Sequence, residues 1–256
     1  MAIDNIQINV ADIARSVHFY TSFLAAEPVG EQTDDRVTLD LVTATLELVH
    51  VADPAVSTWE GADLQRGFRH IGFKVADVDA LVSPLKSAGV PFHLDPLEAE
   101  GGVRITFFFD PDGTLLELVE RDLQYNAVAD EGLVAAERAL GVPDRPRFDH
   151  IAVTVDDFEA TKEHYGAFGF AHHGTILQPH DERGFSINYL KGGDTVLEIF
   201  TYEAVKHSRT PQLDATGYVA ARLAGSSTTD VAVGATADGI VYADVDGFTY
   251  TLSQCA

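Results

Sequence analysis

Asp149-His150-Ile151-Ala152-Val153-Thr154-Val155 reads as the head of a strand, with a histidine leading a run that alternates between two faces. The arrangement recurs upstream in Arg69-His70-Ile71-Gly72-Phe73-Lys74-Val75, where His70, Gly72 and Lys74 share one face and Ile71, Phe73 and Val75 the other. One module-length after each histidine an apolar strand carries a glutamate, Glu117 after His70 and Glu198 after His150. Two further stretches repeat the pattern with its polar landmarks changed. Ile3-Asp4-Asn5-Ile6-Gln7-Ile8-Asn9-Val10 sets Asn5, Gln7 and Asn9 against Ile6, Ile8 and Val10, and Tyr218-Val219-Ala220-Ala221-Arg222-Leu223 opens the last copy with Tyr218 in the histidine's place.

Each copy predicts a strand, a helix and then two or three strands. In the first, Asp12 caps a helix with an apolar stripe of Ile13, Val17, Tyr20 and Leu24, and strands follow near 37–41 and 44–49. In the second, Val78, Leu81, Val82 and Leu85 fall at helical spacing despite Pro84, and Gly89 suits the helix end. Its closing strands, Val103 to Phe109 and Thr114 to Val119, are joined by Asp110-Pro111-Asp112-Gly113, a turn by composition. The third runs from Phe148 through a helix near Asp157 to Ala167 and ends in strands near 185–190 and 195–200. In the fourth, Asp246-Gly247 matches Asp112-Gly113, which sets Thr251 where Glu117 sits. The stretch from Tyr218 to Thr251 is short by about one helix, so that helix is expected to be lost.

The expected fold is therefore α+β. Four βαβββ-type modules pair into two cupped sheets or half-barrels with helices outside, the fourth module being shortened. Modules at about 1–52 and 66–120 form an N-terminal half, 1–120. A helical linker spans 121–147, with Leu133, Ala136 and Leu140 on one side, and modules at about 148–203 and 215–256 form a C-terminal half, 148–256. One apolar sheet face cannot be buried by a single module, so two modules are expected to set strands edge to edge around a cleft lined by the faces of His70, His150 and Asn5.

The totals narrow the function. The 256 residues are 46% hydrophobic and 22% charged, as in an ordinary globular protein of two domains. No apolar run approaches the ~20 residues of a membrane span, and Met-Ala-Ile-Asp-Asn lacks the marks of a signal peptide, so a cytoplasmic location is expected. Cys255 is the single cysteine and has no partner for an internal disulfide. Forty acidic residues against seventeen basic ones give a formal charge of -23, a surface that repels phosphate backbones and excludes nucleic acid as a partner. The acidity itself reads as solubility or adaptation to a salty interior.

Phe108-Phe109-Asp110-Pro111-Asp112-Gly113 followed by Leu116-Glu117-Leu118 resembles the module ending of the vicinal oxygen chelate superfamily, which includes glyoxalase I, extradiol dioxygenases, methylmalonyl-CoA epimerase, and fosfomycin and bleomycin resistance proteins. Val10-Ala11-Asp12-Ile13 leading to Ser16-Val17-His18-Phe19-Tyr20 is similar to its module opening. The resemblance covers nearly the whole chain and implies a tandem form. It also implies one metal per cleft, held by a first-strand residue and a last-strand glutamate from each of two modules. Carried over, the slots read Asn5/Glu47, His70/Glu117, His150/Glu198 and Tyr218/Thr251. Consecutive pairing, as in extradiol dioxygenases, would divide the two complete slots. Crossed pairing, as in single-chain tandem glyoxalases, would join His70, Glu117, His150 and Glu198 in one cleft and leave the other without a set. Crossed pairing is the simpler account of which ligands were lost.

Two imidazoles and two carboxylates suit one divalent transition metal ion: Zn, Ni, Co, Fe or Mn. The implied activity is that of a glyoxalase-like lyase or isomerase on a small substrate with vicinal oxygens, through a metal-stabilised enediolate, with Glu117 or Glu198 as the catalytic base. Two alternatives are an Fe(II)-dependent ring-cleaving or related dioxygenase, and a metal-free small-molecule or antibiotic-binding protein. The expected partner is a small molecule, with the chain a monomer or homodimer. His172, His173 and His180 are expected in a solvated loop. Tyr218 and Arg222 are expected to face the fourth module's cleft, Arg222 as a carboxylate anchor or in an internal salt bridge.

Overall fold

The computed structural model describes residues 2–225 and 227–253; Cys255 lies outside them. The first module comprises β1 (Ile3–Val10), α1 (Ile13–Leu24), β2 (Glu27–Val29), β3 (Arg36–Asp40) and β4 (Thr45–His50). The second comprises β5 (Gly67–Val75), α2 (Val78–Ser87), β6 (Phe92–Glu98), β7 (Arg104–Phe109) and β8 (Leu115–Glu120). Between the halves lie β9 (Ala127–Val128) and α3 (Glu131–Ala139). The third module comprises β10 (Arg147–Thr154), α4 (Phe158–Gly166), β11 (Ala171–Leu177), β12 (Ser186–Gly192) and β13 (Thr195–Thr201). The fourth retains β14 (Gly217–Ala224), β15 (Val231–Thr236), β16 (Gly239–Ala243) and β17 (Thr249–Ser253). Among the described residues no helix stands between β14 and β15, as the shortened spacing predicts. No helix among them is long and apolar enough to cross a membrane.

The modules pair crosswise. One sheet runs β15-β16-β17-β14-β1-β4-β3-β2 and joins the outer modules; the other runs β6-β7-β8-β5-β10-β13-β12-β11-β9 and joins the middle ones. The stretches 1–120 and 148–256 thus each give one module to each sheet. At both centres two first strands meet antiparallel, β1 with β14 and β5 with β10, and each lies parallel to its own module's last strand.

Alternation places the core. Ile6, Ile8 and Val10 of β1, Ile71, Phe73 and Val75 of β5 and Ile151 and Val153 of β10 share one apolar cluster with Phe19, Tyr20 and Leu24 of α1 and Val78, Val82 and Leu85 of α2. Each such side chain contributes roughly 1.5–3 kcal/mol on burial, which holds the opposite strand faces toward the clefts. The turns that carry the family-like motif fasten helices across the sheets. Tyr20 of α1 donates its phenol to Asp110 at 2.9 Å, and Tyr165 of α4 donates to Asp244 at 2.6 Å. In the same pseudo-symmetric way Asp112 accepts the Ala11 N–H and Asp246 the Asp156 N–H.

Two local expectations shift. Part of the linker is strand, since β9 pairs with the edge of β11. In α3, capped by Asp130, the buried residue is Val134, and Ala136 is exposed; the helix docks on β11 with Val134 on its inward side. His173 is fully buried on β11 rather than in a solvated loop, its imidazole against the Tyr125 phenol at 2.9 Å. An aromatic lid from the linker covers it, which periodicity alone does not reveal.

Candidate metal centre

Four central strands of the nine-stranded sheet each supply one side chain to a single point: His70 from β5, Glu117 from β8, His150 from β10 and Glu198 from β13. Register explains the convergence. Across the antiparallel centre Ala152 lies opposite His70 and Gly72 opposite His150; along the parallel pairs Gly72 is level with Glu117 and Ala152 with Glu198. Each histidine therefore leans over a small residue of its neighbour strand toward both glutamates. The approach is close enough to require glycine at one point, for a Cβ on Gly72 would stand 2.0 Å from Cε1 and 2.2 Å from Nε2 of His150.

The four ligand atoms lie within 4.8 Å of one another. His70 Nε2 and His150 Nε2 are 3.2 Å apart; Glu117 Oε2 is 3.1 Å from the first and 2.9 Å from the second, and Glu198 Oε2 is 3.3 Å from both. Such spacings between donors are those that metal–ligand bonds of about 2.0–2.2 Å impose around one ion. All four residues are buried, His70 completely. Glu198 Oε2 has no well-formed hydrogen-bond partner, an acceptor left open toward the shared point.

The environment favours positive charge at that point. Burial opposes charging of His150, but the Glu198 carboxylate and bonds to Asp149 and Glu117 outweigh it and push the imidazole well above its usual value. Burial likewise opposes the Glu198 anion, and is outweighed by His150 and His70, which hold it well below the carboxylate range. Asp149 Oδ2 lies 3.0 Å from His150 Nδ1, fixing the tautomer that turns the Nε2 lone pair inward. His70 Nδ1 has no such partner; its ring is held by the edges of Phe107 and Phe200, at 4.9 and 5.9 Å between centroids. The two glutamates also differ, for the cross-strand neighbour of Glu117 is Phe107 and that of Glu198 is Tyr189. Burial first, and then the Glu198 charge, keeps the Tyr189 phenol protonated.

Above the cluster opens a cavity of about 510 Å³ whose lining includes Glu117, His150 and Glu198. Among the residues missed by sequence reasoning, Asp149 precedes one histidine only and left no repeated signal. Gly72 and Ala152 were legible as the small residue two places after each histidine.

The corresponding place in the other sheet is different, and its register corrects one slot. Tyr218 lies opposite Ile8, the equivalent of Val153 opposite Phe68, so the ligand position of the fourth module is Ala220, opposite Gln7. A bulge between these pairs turns Tyr218 to the core, where it stacks on Phe68 at 4.0 Å and donates to the Thr249 carbonyl. Arg222 forms the internal salt bridge, 2.5 Å from Asp4. Glu47 keeps its glutamate position, with Arg36 Nη1 2.5 Å away and Asp238 bound to the same guanidinium at 3.2 Å. Asn5 donates to Thr45, and Asn9 to the carbonyls of Leu213 and Ala215.

With two mixed sheets and a paired histidine–glutamate cluster, the molecule has the architecture of a two-domain member of one superfamily. The Glyoxalase/Bleomycin resistance protein/Dioxygenase superfamily matches residues 2–118 and 147–247, and the chain belongs to it. Glyoxalase I from Zea mays superposes with a TM-score of 0.68 over 98% of this chain and 91% of that one, at 18% identity, so the likeness is one of fold. A probable lactoylglutathione lyase of Vibrio cholerae is 29% identical over 118 residues, 44% of this chain and 86% of the relative. The uncharacterized protein YwkD of Bacillus subtilis is 33% identical over 129 residues, 47% of this chain and 97% of the relative.

Proposed function

We propose that the chain is a metal-dependent, glyoxalase-like lyase or isomerase that acts on a small substrate with two neighbouring oxygens. The observation that carries this reading is the convergence of two imidazoles and two carboxylates at the base of an open cavity. The donor set fits a divalent transition ion: its two carboxylates balance a dication, and it is mixed in nitrogen and oxygen, buried, and backed by Asp149. His70, Glu117, His150 and Glu198 would hold the ion, and when bound it supplies Lewis-acid polarisation of the substrate oxygens.

The chain's own residues supply the rest. A glutamate of the cluster takes the proton from the hydroxyl-bearing carbon and returns it to the former carbonyl carbon, while the hydroxyl proton passes to the former carbonyl oxygen. Glu117 and Glu198 both reach the cavity. Tyr189 sets a phenol beside Glu198, and Phe107, Phe200 and Ile187 wall the reacting carbon from water. The Vibrio cholerae relative is named a probable lactoylglutathione lyase, the same lyase class, which supports the reading.

Metal analysis of His150→Ala beside Asn5→Ala tests it. After equilibration with nickel(II) or zinc(II) and dialysis, the first variant is expected to lose the ion and the second to keep it. A His150→Ala protein that retains full metal content would sink the assignment. Metal-loaded protein is further expected to catalyse hydrogen–deuterium exchange at the carbinol carbon of a small α-hydroxyketone, read by NMR.

A further inference from the structure

The charges around the cavity are distributed unevenly, and their pairing bears on what can enter. Besides Glu117 and Glu198, its wall carries five carboxylates: Asp63, Glu98, Glu100, Glu137 and Asp149. Only Arg69 and Lys74 among the described lining residues bear permanent positive charge, and both are engaged. Arg69 is 2.7 Å from Asp63, with its guanidinium 4.8 Å above the Phe200 ring. Lys74 donates to the Arg121 carbonyl and lies 3.4 Å from Asp122.

The arginines just outside are engaged too: Arg183 binds Asp63 at 2.8 Å and Asp181 at 2.6 Å, and Arg104 and Arg121 bind Glu98. Lys191, whose Nζ has no partner, does not line the cavity. The remaining wall carries His93 and Gln178 and is otherwise mainly apolar and aromatic, with Phe107 and Phe200 beside His70 and the Phe185 and Tyr202 rings stacked at 4.5 Å.

We infer that this site selects substrates whose body is uncharged or cationic and apolar, of the size of a substituted aromatic ring, and discriminates against anionic bodies such as glutathione adducts. The inference rests on the metal-centre reading above and deepens it. A divalent ion offsets Glu117 and Glu198, and arginines offset Asp63 and Glu98, but among the described residues Glu100, Glu137 and Asp149 have no lysine or arginine within salt-bridge distance. An entering carboxylate would meet repulsion in a partly desolvated space with no free N–H cation to receive it. A glutathione adduct brings two carboxylates and one ammonium. The -23 charge of the whole chain acts in the same direction at longer range.

A matched series of hydroxamic acids tests the body while keeping the chelating head constant. Protein loaded with nickel(II) is titrated calorimetrically with benzohydroxamic acid and its para-carboxy and para-aminomethyl derivatives. The carboxylate is expected to bind at least about tenfold more weakly than the parent, and the ammonium as tightly or more tightly. Glu137→Gln, which keeps an acceptor for the Tyr125 hydroxyl, is expected to narrow the carboxylate's deficit.

Equal or tighter binding of the carboxylate, tighter binding of S-hexylglutathione than of benzohydroxamate, or a deficit unchanged in Glu137→Gln overturns the inference alone. Protein that takes up no ion in prior equilibrium dialysis overturns the metal-centre reading and this inference with it.

Discussion

At the centre of each sheet the same strand positions face inward, and the two sheets fill them in opposite ways. In the middle modules two histidines lean over Gly72 and Ala152 toward two glutamates. In the outer modules those places hold Asn5, Ala220, Arg222, Gln7, Glu47 and Thr251. One glutamate survives there, and Arg36 brings the cation that answers it, tied in turn to Asp238 from the turn between β15 and β16. A side-chain guanidinium thus serves as internal counter-charge in one sheet, whereas the other converges four ligand atoms on one buried point. The contrast teaches that the same inward strand positions can hold a convergent donor set in one sheet and an acid met by a guanidinium of its own module in the other.

The comparison breaks most readily at Gly72. Valine there would drive its side chain into the His150 ring, so Gly72→Val is expected to abolish metal binding in equilibrium dialysis and to destabilise the fold by about 1–3 kcal/mol. A metal-competent Gly72→Val protein would show that His150 does not need its observed position. The next largest effect is expected from Asp149→Asn. Losing the carboxylate behind His150 should weaken metal affinity about 10–100-fold with little change in the denaturation midpoint, measured by competition with a chromophoric chelator.

In the outer sheet, Arg36→Met leaves Glu47 and Asp238 facing each other. Arg36 is partly exposed, so the loss should be about 1–3 kcal/mol in urea denaturation, with metal content unchanged. The smallest effect concerns pH. Burial first, and then Asp238, push Glu47 up to about 7, Arg36 opposing. A carboxyl raised on folding stabilises fully below its unfolded value and loses that contribution as pH rises through its folded value. The shift is worth at most about 3 kcal/mol, which solvent screening around the partly exposed Arg36 and Asp238 cuts to about 1. Wild-type stability should therefore fall by about that much between pH ~4.5 and ~7.5, and Glu47→Gln should flatten the slope. A slope equal in both proteins would assign the titration elsewhere.

Much of this was legible in the chain. The alternation in Ile71, Phe73 and Val75 and in Ile151 and Val153 named the buried face, whereas His150, expected at the head of its strand, and its counterpart His70 stand in the interior of β10 and β5, because the residues before them also pair across the sheet centre. The four repeated first strands gave the module count, and the match of Asp246-Gly247 to Asp112-Gly113 aligned the ends of the second and fourth modules. The missing fourth helix followed from length alone. Tyr218 was misplaced by sequence because a β-bulge changes which residue occupies a register position without leaving a compositional trace. His173 escaped for a related reason, since its burial comes from Tyr125 far away in the chain.

By itself, then, the sequence determined the elements, the faces they bury and the two histidine–glutamate pairs, since each depends on local spacing and on the period of strand or helix. Only the tertiary structure decided that the pairs meet. Crossed pairing of modules sets β5 against β10, and the register there, with its bulge and its Gly72, is fixed by packing between residues distant in the chain. The same pairing sets β1 against β14, and so gives the outer sheet Ala220 and Arg36 where the inner one has a histidine and a cluster of ligands.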